Sequence, residues 1–168
     1  VEKSSFREFI TQVVSNHTKQ ALFLVLSKSG LKSEIEVNDK VAEARALFSE
    51  EFDPHRILHV DSMLKIVADD LSSFDSAVAL KAHYIEKKRY FDQRYKEERR
   101  QEWREEAVNF DTKLKLLNDT MASLDPDSDR EKIHAALRCA SNFDRLEQAI
   151  EEFSAQAPEL QLSELLLQ

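Results

Sequence analysis

AVALKAHYIEKKRYFDQRYKEERRQEWREEAVNFDTKLKLLNDTMASL, residues 77–124, contains neither Gly nor Pro over 48 positions. Nothing local interrupts an α-helix here, and at 1.5 Å per residue the stretch predicts a rod of about 72 Å. Its two ends are amphipathic and its middle is nearly all charge. Ala77, Leu80, Tyr84 and Phe91 mark one end, and Trp103, Ala107, Phe110, Leu114, Leu117, Met121 and Leu124 mark the other. The second set repeats at alternating spacings of four and three, a heptad seam that needs another helix laid along it. Between Lys96 and Glu102 no apolar residue appears. The stretch therefore reads as a spine joining two packed regions, with a wet or partner-facing waist.

Composition supports a helical fold. One Gly and three Pro in 168 residues leave little material for the hairpin turns of a sheet. The charged fraction of 33% and net charge of −8 suit solvated helical surfaces and argue against non-specific binding to nucleic acid or an anionic membrane. The charge is uneven. Residues 84–104 hold eight cations against five anions, net +3, whereas residues 126–168 carry net −5. The single Cys139 rules out an intrachain disulfide framework, and no apolar run is long enough to span a membrane. No signal peptide is visible. The chain begins at Val1, which fits an excised domain or a processed chain.

Upstream of the spine, a first helix is expected from Ser4 or Ser5 to about Lys28. Phe6, Ile10, Val13, His17, Ala21 and Leu24 form its stripe, and Gly30 supplies its C-cap. The all-apolar run 21–26 has a short strand as its alternative reading. Residues 31–37 read as a loop. A second helix from Asn38 or Asp39 faces Val41, Ala44, Leu47 and Phe48 inward. Asp53-Pro54 opens a third helix through Ile57, Leu58, Val60, Met63, Leu64, Val67 and Leu71, with a break near Ser72. Downstream, Asp125-Pro126-Asp127-Ser128-Asp129 is a turn. A helix through Ile133, Leu137, Ala140, Phe143, Leu146, Ile150 and Phe153 then runs back along the spine, and Pro158 stops it. A short leucine-rich tail with Leu165, Leu166 and Leu167 follows.

Few residues point to chemistry. His55 and His59 sit one helical turn apart and could offer two imidazoles to a metal, but no Glu accompanies them in the zinc-protease pattern. Glu131 and His134 match the Glu-x-x-His spacing of di-iron bundles, which need two such pairs where this chain has one. His17 suits a core imidazole and Cys139 a small packing residue. No glycine-rich phosphate loop is present. The remaining candidate is the basic aromatic middle, from Lys87 to Trp103. Interleaved Glu86, Asp92, Glu97, Glu98 and Glu102 make intrahelical ion pairs there and disfavour a polyanion.

The expectation is an all-α, elongated antiparallel bundle of five or six helices around one long central helix. It forms a single domain over 1–168, with subregions 1–95 and 96–168. The expected function is non-catalytic: a scaffold, adaptor or regulatory domain that binds another protein, or a second copy of itself, without a cofactor. The acidic C-terminal portion is the natural complement for self-association. Tyr90, Tyr95, Arg99, Arg100 and Trp103, with Leu165 and Leu166, are the expected interface, since Trp, Tyr and Arg carry binding energy in interfaces. The alternatives are an extracytoplasmic ligand-sensing bundle cut from a membrane receptor, and a metal-binding protein or enzyme built on His55 and His59. A cytoplasmic location is expected for the first reading.

Overall fold

The structure, a computed structural model, describes residues 23–28, 34–50 and 52–166. The chain is mostly helical, as its composition dictates. In order come β1 (Leu24–Lys28), α1 (Glu34–Leu47), a 3-10 turn (Pro54–Arg56), β2 (Ile57–Asp61), α2 (Ser62–Ser72), α3 (Ala77–Glu98), α4 (Gln101–Ala122), α5 (Arg130–Ser141) and α6 (Phe143–Leu166). These fall into two compact units. One combines the described residues of 23–27, 34–60 and 144–166, and the other is built on 61–143.

The first unit contains a small parallel sheet of β1 and β2, with α1 as the connection between them. Leu24, Ala44, Phe48, Phe52 and Ile57 form its core, with Leu26 packed against them. Two expectations are corrected here. The run ending at Leu26 is a strand from Leu24 onward, not the end of a helix, and the helix expected from Asp53-Pro54 gives way to a strand over 57–61. Four of the five β2 residues are buried and His59 half-buried. A strand covered on both faces shows a continuous apolar run rather than alternation, which periodicity does not separate from a buried helix. Helix α1 begins a turn earlier than expected, at Glu34, and Leu47 is exposed rather than inward. The stripe from Phe6 to Ala21 and the Gly30 cap lie outside the described residues.

The second unit is four helices. Asp61 caps α2, its Oδ1 accepting the N–H groups of Met63 and Leu64 at 3.1 and 3.2 Å. The break expected near Ser72 is present. Helix α2 ends there and Ser76 starts α3, its Oγ accepting the Ala79 N–H at 3.1 Å. Leu64, Val67, Ala68 and Leu71 meet Ala77, Leu80 and Tyr84 of α3, Leu117 of α4, and Ile133 and Leu137 of α5 in one core. A polar tie crosses it. The Tyr84 hydroxyl donates to Asp70 Oδ2 at 2.7 Å, and Lys113 Nζ donates to the same oxygen at 3.0 Å.

The 77–124 stretch is not one rod. It folds back between Glu98 and Gln101 into an antiparallel hairpin of α3 and α4. Arg99 takes the left-handed conformation (φ 55°, ψ 22°) and Arg100 is extended (φ −79°, ψ 131°). A non-glycine residue in the left-handed region costs about 1–2 kcal/mol. The return is repaid by rings that a rod would hold apart. Phe91 stacks on Trp103 at 5.8 Å and on Phe110 at 5.6 Å, and Tyr84 meets Phe110 edge-on at 5.9 Å. At about 0.5–1.5 kcal/mol per pair beyond the area buried, the three outweigh the turn. The heptad seam is thus covered in part by its own preceding half.

The helix expected through Ile133 to Phe153 is likewise two, parted by Asn142 at φ 60°. Asn tolerates that conformation. Helix α5, capped by Asp129, packs chiefly on α2 rather than back along the spine. Helix α6 continues through Pro158 to Leu166, so Pro158 does not stop it.

Candidate functional site

The hairpin gathers five of the expected interface residues at one end. Tyr90 and Tyr95 stand on the last turns of α3, Arg99 and Arg100 form the link, and Trp103 opens α4. Their roles there differ. Trp103 is half-buried, stacked on Phe91, and its Nε1–H donates to Glu98 at 2.9 Å. Glu98 also pairs with Arg94, whose guanidinium lies 5.4 Å from the Trp103 ring centre, and stands 4.0 Å from Arg100 Nε. The last residue of α3 is therefore the anchor that holds the first turn of α4.

Tyr90 is 52% exposed and meets Phe91 edge-on, while Arg99 lies over the Tyr95 ring at 5.8 Å. Lys96, Arg99, Arg100 and Arg104 are all exposed. The sequence marked Phe91 as an apolar position and Glu98 as an intrahelical ion-pair partner, which it is with Arg94, but not the contacts both make with Trp103 across the turn. The available signal was the placement of Phe91 and Trp103 on either side of a segment with no apolar residue.

The outer face of α3 continues from this tip. Ile85, Lys88, Arg89, Asp92, Gln93 and Lys96 line a shallow depression of about 490 Å³. Lys88 leans toward α4 and pairs with Asp111. The hydrogen bond to that carboxylate holds the Lys88 ammonium above the usual lysine range.

Elsewhere the candidates disperse. His55 is exposed in the 3-10 turn and His59 is half-buried in β2, so they do not share a helical face and the spacing argument for a metal fails. Among the described residues no group of three or more His, Cys, Asp or Glu could hold a metal ion. Cys139 is free and exposed. Leu165 and Leu166 lie on the helical backbone of α6, and their side chains are outside the described residues.

Glu131 and His134 flank a cleft of about 220 Å³ with Leu71, Ser72 and Arg130. Ser72 Oγ is 3.2 Å from His134 Nε2, an arrangement that resembles a nucleophile and its base. Among the described residues no third group orients the imidazole. Arg130 donates to the Phe74 carbonyl and to Glu131, which keeps the Glu131 carboxyl below the usual carboxylate range. The cleft therefore looks like a polar clasp between α2 and α5. No helix among the described residues is long and apolar enough to cross a membrane. Compared with known proteins, the chain matches no family model, no curated protein and no solved structure.

Proposed function

We propose that this chain is a non-catalytic protein-interaction domain, a scaffold or regulatory module that meets its partner with the tip of the α3–α4 hairpin. One observation carries the reading. The turn between α3 and α4 places Arg99 in the left-handed region, where Gly or Asn would cost less. At the tip itself the Tyr95 ring at 5.8 Å returns about 0.5–1 kcal/mol, and the ring stacks between α3 and α4 offset the rest. A cation at a position where Gly or Asn would cost the hairpin less supports a use for its charge. Tyr90, Tyr95, Arg100 and Lys96 around it supply the aromatic and cationic groups that dominate interface energetics.

The test separates strain from function. Arg99→Gly relieves the backbone, and its thermal midpoint should equal or exceed that of the parent. In quantitative pull-downs from the native cells it should lose the same proteins that the charge reversal R99E/R100E loses. If both variants recover the parental set of proteins, the tip is not the binding element.

A further inference from the structure

The reading of the hairpin as a docking element leaves the outer face of α3 to be assigned, and the chain itself carries a matching surface. Ile85 is 40% exposed. It stands one helical turn after Lys81 and one before Arg89, with Lys88 and Lys96 on the same side of the helix. On α6, Ile150 is 47% exposed, and Glu147 and Glu151, one turn apart from each other, flank it. Asp144 and Glu152 extend the same acidic surface. Around Ile85 the cations Lys81, Lys88, Arg89 and Lys96 outnumber Asp92, around Ile150 the nearest charges are acidic, and the two prevailing signs are opposite.

We propose that α3 of one copy packs against α6 of a second copy. Ile85 meets Ile150, while Lys81 and Arg89 face Glu147 and Glu151. The inference rests on the hairpin being a docking element. It selects a second copy because both complementary surfaces belong to one sequence, whose cations concentrate at 84–104 and whose anions concentrate beyond residue 125. Electrostatic complementarity of this kind sets partner choice and register, and makes the association sensitive to salt.

Sedimentation equilibrium of the purified chain tests it. In low salt the weight-average mass should climb above the 19.5 kDa of one copy as concentration rises, and should return toward it at about 0.5 M salt, where the Debye length is only a few Å. The variants K81E/R89E and E147K/E151K should each remain single copies, because each sets like charges face to face. Mixed in equal amounts they should associate at least tenfold more strongly than either alone, since each basic face again finds an acidic one.

Three results overturn the proposal. One is a parent chain that stays at one copy up to about 0.5 mM, which is weaker than a Kd in the millimolar range allows, and which returns the α3 face to a partner of different sequence. Another is self-association that both variants leave intact. The third is a mixture that fails to recover while both variants keep the parental melting temperature. If the proposal fails in any of these ways while R99E/R100E still loses bound proteins, the hairpin reading stands and only the identity of the occupant is wrong.

Discussion

Replacing Phe91 with Ala tests the hairpin at its centre. Truncating a fully buried Phe costs about 3–5 kcal/mol, and Phe91 is half-buried, so about half of that applies. Its stacks on Trp103 and Phe110, at 5.8 and 5.6 Å with interplanar angles of 22° and 17°, add about 0.5 kcal/mol each. The total is about 2.5–3.5 kcal/mol, equivalent to a fall in thermal midpoint of roughly 5–14 °C for a chain of this size.

Trp103 is the sole tryptophan, so its fluorescence reports the hairpin directly during urea unfolding. A double-mutant cycle with Trp103→Ala, followed by circular dichroism, should return a coupling energy of at least about 0.5 kcal/mol. In a continuous rod, residues 91 and 103 would stand about 18 Å apart along the axis and could not couple. A coupling below about 0.3 kcal/mol, within the additivity of independent sites, would refute the fold-back.

Tyr84→Phe should cost about 1–2 kcal/mol at neutral pH by removing the hydroxyl that Asp70 accepts. It should also flatten the alkaline side of the stability profile. Burial first, and the Asp70 hydrogen bond and charge after it, hold the Tyr84 phenol well above its usual range. The unfolded chain releases that proton near pH 10 while the folded chain keeps it. The stabilisation is therefore whole below pH 10 and is lost above it by up to about 1.4 kcal/mol per pH unit. Urea titrations at pH 10 and 11 should show a smaller drop in the variant, and equal drops would contradict the assignment. Asp61→Ala should cost about 1–2 kcal/mol and Asp61→Asn much less, because Asn caps a helix nearly as well. An alanine variant within 0.5 kcal/mol of the parent would mean that the two bonds to Met63 and Leu64 are not what starts α2.

Which parts of the fold were legible follows from how each break is encoded. The gap at 73–76 and the turn at 125–129 announce themselves through Ser and Asp side chains that take up orphan N–H groups, and Ser76 and Asp129 do so. The turn at Arg99 has no such marker. Neither residue of the link is Gly, Asn or Pro, so local chemistry argued for a rod, and only the gain from distant rings decides otherwise. Asn142 carried a weak version of the signal and was outweighed by the apolar repeat on both sides of it.

The strands were hidden for a different reason. Ile57, Leu58 and Val60 are covered from both faces, which erases the period of two. For the candidate site, the residue types at 90–103 were readable from composition. Their convergence was not, because it depends on the same unmarked turn.

The division of the chain also bears on its synthesis. The first unit is interrupted, since the whole of 61–143 must be translated between its earlier residues and α6. Arg56, whose guanidinium lies 4.9 Å from the Phe23 ring centre and 5.3 Å from that of Phe153, emerges from the ribosome long before Phe153 exists. At about 5–20 residues per second the wait is on the order of 5–20 s. In that interval the nascent βαβ segment lacks its closing helix while the inserted four-helix unit is free to fold. Slow or paused translation within 61–143 would lengthen the exposure, and recovery of this protein should then depend on the holding chaperones of its host.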